Sequence, residues 1–200
     1  TTIKQRRNSR TGPQINVTID QFSDILEQQS PTDSTTQSWE TIVENLRTDP
    51  TISLVRSLLI LPVLSSPWTI EAKEGASEES IDFIKDNVFA LRTHIIRQSF
   101  FGCIDYGWAP FEKVFTEKDG LFYLGKLKPL LQELTDILVH VRTGAFKGFR
   151  NENPISGQYV DLPTRYSFLH SFDVRGTNWY GRPLLKNVEA AYNWWTSVNT

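Results

Sequence analysis

The sequence contains few of the residues that build disulfide-bonded or membrane-spanning proteins. Among its 200 residues there are one Cys, no Met and no long apolar run. A single cysteine excludes an intrachain disulfide framework and a cysteine-based zinc site. The longest apolar stretch, 58–64, contains Pro62 and is much shorter than the ~18 residues of a membrane-spanning helix, so we expect no membrane partner. The lack of Met predicts that an initiator residue was removed or that the sequence is an excerpt of a longer chain.

The chain as a whole has almost no net charge, but two of its segments carry an excess of one sign. The formal net charge is -2, yet the first ten residues carry no acid and four basic side chains, Lys4, Arg6, Arg7 and Arg10. Residues 20–49 carry seven acidic side chains against Arg47. We interpret residues 1–37 as a flexible basic and acidic arm with a polar linker, and residues 38–200 as one domain. The basic arm is either a solvated terminus or a contact with nucleic acid or a neighbouring subunit.

Helices are predicted at the start of this domain. Ser38 is a suitable N-cap for a first helix, and Asp49 with Pro50 marks its end and the start of a second helix. We expect the second helix to end near Pro62, because proline interrupts the helical hydrogen bonds. The alternation of apolar and polar residues over 68–71 predicts a short strand.

The rest of the domain indicates β-hairpins between helices. Residues 110–116 and 121–124 alternate in hydropathy on either side of Asp119 and Gly120, which is typical of a hairpin with a tight turn. The other predicted elements are helices after Ser77 and over 93–103, a hairpin over 137–149, strands over 158–162 and 166–170, and a last helix over 183–198. This order indicates an α+β fold. The last helix has no cap, so we expect the chain to continue beyond it.

The side chains that would carry catalysis do not form a motif. His94, His140 and His170 are scattered, and no Cys, Asp or Glu pairs with them at ligand spacing. The chain has neither a glycine-rich phosphate loop nor a nucleophile elbow, and Cys103 lies on an apolar helix face. We therefore predict no catalytic residues, no metal site and no cofactor. A hydrolase whose site is assembled from the histidines by the fold is a minor alternative.

Tryptophan is abundant, with six residues, and aromatic side chains can stack on sugars or bases. Five lie within apolar patterns and are expected to be buried in the core or in an interface: Trp39, Trp68, Trp108, Trp194 and Trp195. Trp179 lies in a loop beside Tyr180 and is the candidate for a surface aromatic. A second interpretation is therefore a non-enzymatic module that binds carbohydrate or peptide through Trp179 and Tyr180.

Five segments, in order along the chain, resemble one protein family. They are 46–56 with an Asp-Pro-x-Ile step, 67–71, 101–115 with a Gly followed by Glu-Lys-Val, 162–170 with Leu-Pro before an aromatic strand, and 176–185 with Gly-Thr-Asn-Trp-Tyr-Gly before a helix. Together these segments resemble the portal proteins of tailed bacteriophages, and the Mu-like branch in particular.

The resemblance implies a mechanical role rather than a catalytic one. Portal proteins form a homo-oligomeric ring, usually a dodecamer, at one capsid vertex, and double-stranded DNA passes through the ring during packaging and ejection. The resemblance implies that terminase docks on the ring and that head–tail adaptors later replace it, with capsid or scaffold proteins as further partners. It also implies a virion protein that is assembled in the host cytoplasm.

The resemblance further implies which part of such a protein this is. Residues 38–200 would form part of the outer wing, and the helical stem that lines the channel would follow the last helix. The loop with Gly176, Asn178, Trp179, Tyr180 and Gly181 is the candidate subunit-interface or structural loop.

Overall fold

The computed structural model describes residues 25–28 and 38–198, which have an α+β architecture. The α-helices of this part are α1 (Trp39–Thr48), α2 (Pro50–Ser65), α3 (Glu78–Phe89), α4 (Arg92–Tyr106) and α5 (Glu189–Val198). The strands are β1 (Ile25–Glu27), β2 (Trp108–Lys118), β3 (Leu121–Pro129), β4 (Thr135–His140), β5 (Phe146–Glu152), β6 (Tyr159–Pro163) and β7 (Ser167–Ser171). After the short strand β1 come four helices, then antiparallel strands and a last helix, which confirms the predicted fold class.

The first two helices begin at the capping residues that the sequence indicates. The hydroxyl of Ser38 accepts a hydrogen bond from the N–H of Thr41 (3.4 Å), and the carboxylate of Asp49 accepts one from the N–H of Ile52 (3.0 Å). Pro50 lies in the first turn of α2, where its missing N–H removes no helical hydrogen bond. Local sequence therefore fixes the junction between α1 and α2.

The prediction that the second helix ends near Pro62 is wrong, because α2 continues to Ser65. Pro62 lacks an N–H and so removes one hydrogen bond, but the end of the helix is held from outside. The guanidinium of Arg92 donates hydrogen bonds to the carbonyl oxygens of Leu64 (3.2 Å) and Ser66 (2.6 Å). A side chain at the start of α4 thus satisfies the last turn of α2.

The prediction of a strand over 68–71 is also wrong, since these residues belong to neither sheet. Trp68 instead stacks under the guanidinium of Arg92, 5.3 Å from the ring centroid. A short alternation becomes a strand only where a partner strand lies beside it. Other segments form both sheets of the described part, and residues 68–71 pair with none of their strands.

The strands form two antiparallel sheets. One has four strands in the order β1-β4-β5-β6, and the other has three in the order β3-β2-β7. The hairpin β2–β3 turns at Asp119 and Gly120, whose φ angles of 54° and 74° suit the tight turn predicted there. The hairpin β4–β5 and the strands β6 and β7 also confirm their predictions, with ends shifted by a few residues.

Strand β1 lies inside the segment 1–37 that sequence analysis assigns to an arm and linker. Ile25–Glu27 pairs with β4, and the carboxylate of Glu27 accepts a hydrogen bond from Arg150 (2.5 Å). A short part of this segment therefore joins the four-stranded sheet. The basic residues Lys4, Arg6, Arg7 and Arg10 lie outside the described residues, so their role stays a prediction.

One main hydrophobic core joins α1 and α4 to the four-stranded sheet. Its buried side chains are Trp39, Val43, Leu46, Ile104, Tyr106, Trp108, Leu130, Ile137, Val139, Phe149, Tyr180 and Leu185. A smaller cluster of Ala109, Phe111 and Leu127 lies on the three-stranded sheet. Among residues 25–28 and 38–198, no helix is long and apolar enough to cross a membrane.

Candidate subunit interface

The loop 176–181 places Tyr180 in the core. The side chain is 4% exposed, and its ring packs edge-on against Trp108 with 4.9 Å between centroids. Its hydroxyl accepts a hydrogen bond from the backbone N–H of Ile137 in β4 (3.0 Å). Tyr180 therefore supports the packing of the sheet and is not available to stack on a carbohydrate or peptide ligand.

The neighbouring Trp179 connects three segments. Its indole N–H donates to the carbonyl of Gly144 between β4 and β5 (2.7 Å), and its backbone N–H donates to the amide oxygen of Gln28 (2.5 Å). Its carbonyl accepts a hydrogen bond from the hydroxyl of Ser171 at the end of β7 (2.6 Å). The loop thus ties the edge of one sheet to the end of the other.

The glycines of this loop differ in their structural roles. A Cβ added to Gly181 would lie 1.9 Å from the carbonyl oxygen of Gly107, so two backbones meet there and only glycine fits. Gly176 has a φ of +60° and open space around it, and the amide oxygen of Asn178 accepts a hydrogen bond from the N–H of Tyr180 (3.0 Å). These contacts give the loop a structural role within the chain, and its role between subunits stays a prediction.

A buried carboxylate, which sequence analysis did not single out, holds the helices together. Asp105 in α4 is fully buried and accepts hydrogen bonds from Arg47 of α1 (Nε, 3.0 Å) and Arg56 of α2 (Nε, 2.9 Å). Burial lowers the pKa of Arg47, but the hydrogen bond and charge of Asp105 outweigh it, so the net shift of that pKa is upward. The only sequence signal was the single acidic residue of α4, which follows the apolar residues Cys103 and Ile104, and this signal does not name its partners.

The side chains of Cys103 and His170 lie together, with Sγ 3.5 Å from Nδ1. Burial raises the pKa of the Cys103 thiol to about 12 and lowers the pKa of His170. Both shifts favour the neutral forms, whereas a nucleophilic pair needs a thiolate beside an imidazolium. This geometry gives the pair a packing role.

The two other histidines lie elsewhere. His94 is exposed on α4, and the Nδ1 atom of His140 accepts a hydrogen bond from the N–H of Arg142 (3.3 Å). In the part of the chain that the structure describes, no three His, Cys, Asp or Glu side chains converge to hold a metal ion. The histidines of this part therefore do not form the metal site that a metal-dependent hydrolase would need.

Helix α2 leaves an apolar face at the surface. Two adjacent rows at helical spacing form this face, and its large side chains are 47–59% exposed: Leu54, Val55, Leu58, Leu59 and Leu61. Elsewhere on α2, Ile60 is the only residue of the helix that is fully buried. A helix that is apolar on all sides is normally enclosed by protein. We call these five residues the α2 face.

Helix α5 exposes a second apolar surface. Trp194 is 69% exposed, Trp195 is 54% exposed and Val198 is 63% exposed. Trp68 is also exposed, at 40%. The prediction that these three tryptophans are buried in the core is therefore wrong, because Trp39, Trp108 and their neighbours fill the core. Their burial in an interface stays a prediction. We call Trp194, Trp195 and Val198 the α5 face.

Exposed apolar helices of this kind are typical of chains that make a further protein contact. A family model described as the portal protein of Mu bacteriophage matches residues 41–196. Because the match covers more than half of the chain, the chain belongs to this family of phage portal proteins. This result agrees with the resemblance that the sequence motifs carry.

A solved structure gives the same picture at the level of the fold. The chain is similar to a chain of the "Virion of native gene transfer agent (GTA) particle", with 11% identity and a TM-score of 0.57. The similarity covers 82% of this chain and 45% of that chain, so this chain spans less than half of its neighbour's length. A search of curated proteins finds no match.

Proposed function

We propose that this chain is a structural subunit of a portal ring that forms a conduit for double-stranded DNA in a virion. Family membership supports the portal role, and the fold shared with a chain of a virion particle is consistent with it. The observation that carries self-assembly is the α2 face, a group of large aliphatic side chains about half exposed. Closing this face against another copy removes apolar surface from water.

The charge of the chain is compatible with DNA that slides through the ring. The formal net charge is only -2, so acidic and basic residues nearly balance. Each phosphate neutralised by Lys or Arg adds salt-sensitive affinity, and a conduit functions best without such a grip. In this proposal the ring does no chemistry, and terminase, which docks on it, supplies the energy for DNA movement.

Other partners follow from the same role. After packaging, head–tail adaptors replace terminase on the ring, and capsid or scaffold proteins surround it at one vertex. The proposed ring has twelve copies, as the resemblance implies. In this proposal the loop 176–181 acts mainly inside each subunit, because its two aromatic residues are already engaged there.

Electron microscopy of the full-length protein tests the proposal. We expect closed rings with a central channel wide enough for duplex DNA, and only weak, salt-sensitive retention of linear duplex DNA in a filter assay. A matched preparation of Leu54→Ser with Leu58→Ser should lose the rings while keeping its helical circular dichroism. Monomers at every concentration, or compact assemblies without a channel, would contradict the portal role.

A further inference from the structure

The α2 face requires a cover that brings few charges with it. Helix α2 contains one charged residue, Arg56, and this side chain is bound to Asp105 inside the chain. The segment 57–70 carries no charged residue. A charged group placed against this face would lose its hydration and find no partner, which is unfavourable. The surface that covers α2 should therefore be apolar and uncharged.

Two exposed apolar surfaces of the described part do not meet this requirement. At the tip of the β2–β3 hairpin, Phe115, Leu121 and Phe122 are 45–67% exposed, but they lie beside the charged run 117–119. Along β6, Tyr159 and Val160 are 58% and 54% exposed, but Asp161 follows them in the same strand. Asp161 is ion-paired with Arg150 (2.7 Å), yet its side chain is 54% exposed and would lose its hydration against the α2 face. Either surface would carry charges onto the α2 face.

The α5 face meets the requirement. The one charged residue of α5, Glu189, is ion-paired with Lys186 (2.8 Å), and residues 190–200 carry no charge. Trp194 and Trp195 offer large flat side chains of the type that dominates binding energy at protein interfaces. The two helices thus match in charge and in apolar character, although they lie in different parts of the chain.

The symmetry of a ring decides which copies the two helices come from. A closed ring of more than two subunits is built from heterologous contacts, in which one patch of each subunit meets a different patch of the next. This step rests on the proposed function. A ring therefore needs two complementary patches on every subunit, and the α2 and α5 faces provide such a pair.

We propose that the α5 face of one copy packs against the α2 face of the next copy around the ring. Trp194 and Trp195 then lie against the aliphatic rows that contain Leu54, Leu58 and Leu61. The contact buries large apolar side chains on both sides and leaves Arg56 with its partner in its own subunit.

Cross-linking between two single-cysteine additions tests this contact. Ser57 and Ser197 are exposed and lie beside the α2 and α5 faces, so Ser57→Cys and Ser197→Cys leave the apolar contacts in place. Native Cys103 is buried and its thiol pKa is raised to about 12, so it reacts slowly with a maleimide. A short bismaleimide is added to rings of each variant separately. It is also added to mixed rings, which are made by dissociating the two variants together and letting them reassemble.

We expect a cross-linked dimer only in the mixture, because each chain then carries one half of the contact. Glu78→Cys on α3, mixed with Ser197→Cys, serves as the control and should give none. Cross-linking of Ser57→Cys with itself would overturn the proposal by showing that two α2 helices meet. Rings without any cross-link would also overturn it and leave the proposed portal role intact, whereas failure to form rings would contradict both.

A second measurement separates the α5 face from other exposed aromatic residues. Trp194→Ala should weaken self-association more than about tenfold, in the range of interface hot spots. Phe122→Ala removes an aromatic side chain of similar exposure, 67% against 69%, from the hairpin tip and should leave self-association unchanged. Equal effects of the two substitutions, or an effect of Phe122→Ala alone, would contradict the assignment.

Discussion

The two helices that meet at Asp49 bury their apolar side chains to very different extents. In α1, Trp39, Val43 and Leu46 lie on one face at helical spacing and are each at most 3% exposed. In α2, apolar residues surround the helix, and Ile60 is the only one of them that is fully buried. Helix α1 is polar outside its buried face, whereas α2 carries more apolar side chains than its own chain buries.

This difference separates two kinds of stabilisation in one chain. The face of α1 is completed by the core, so its burial stabilises the folded subunit. In the proposed ring, a neighbouring copy covers the α2 face, so the burial of this face stabilises the assembly. Substitutions in α1 should therefore change the stability of the subunit, and substitutions in α2 should change its assembly.

The largest effect is expected where both helices are attached to α4. Asp105→Asn keeps the shape of the side chain but leaves Arg56 and Arg47 without a buried counter-charge, which should cost about 3–5 kcal/mol of folding free energy. Urea unfolding measures this change. Asp82→Asn, which breaks an exposed pair with Lys85, is the control and should cost about 0.5 kcal/mol or less. A loss of under about 1 kcal/mol for Asp105→Asn would show that the two arginines do not need this carboxylate.

A matched pair of leucines sharpens the comparison of the helices directly. Leu46→Ala in α1 removes a side chain with no exposure and should lower the free energy of unfolding by about 3 kcal/mol. Leu58→Ala in α2 removes a side chain that is 54% exposed and should change the unfolding of the dissociated subunit by under about 1 kcal/mol. Similar losses for both in dilute solution would mean that α2 is enclosed within its own chain.

Tyr180 tests whether the loop 176–181 supports the sheet. Tyr180→Phe removes the hydroxyl that accepts the N–H of Ile137 and should cost about 1–2 kcal/mol in urea unfolding, because a buried donor loses its partner. Tyr159→Phe on the exposed strand β6 is the control and should have little effect. If Tyr180→Phe instead abolished assembly with unchanged subunit stability, the loop would belong to the interface.

The smallest effect concerns pH. Burial lowers the pKa of His170 in the folded chain, so the unfolded chain takes up a proton first as the pH falls below about 6.5. The stability contributed by neutral His170 is therefore present above that pH and is lost as the pH falls through the folded-state pKa. Replacing the residue, as in His170→Gln, should flatten the decline in the urea midpoint between neutral and mildly acidic pH. An unchanged decline would assign it to other groups.

The sequence predicted those elements that depend on neighbouring residues. The caps at Ser38 and Asp49 and the turn at Asp119 act within a few residues, so α1, α2 and the first hairpin begin or turn where expected. The end of α2 was missed because Arg92, which is distant in sequence, holds its last turn. A local pattern carries no information about such a contact.

The candidate interface was predicted less well for a related reason. An apolar pattern shows that a side chain should be buried, but not whether its own chain or another copy buries it. Trp39 and Trp194 both lie in apolar helical patterns, yet they are 3% and 69% exposed. The role of Asp105 required the positions of Arg47 and Arg56, which come from two other helices. The family motifs indicated the portal role without naming either face.

The mass of the protein in solution shows whether the α2 face is a contact between subunits. Sedimentation equilibrium should show that the unchanged protein forms a closed assembly of many subunits, and that Leu54→Ser with Leu58→Ser sediments as a folded monomer with the same urea midpoint as the dissociated subunit. An unchanged protein that stays monomeric at all concentrations, or a double variant that assembles as well as the parent, would contradict the assignment of α2 to the subunit interface.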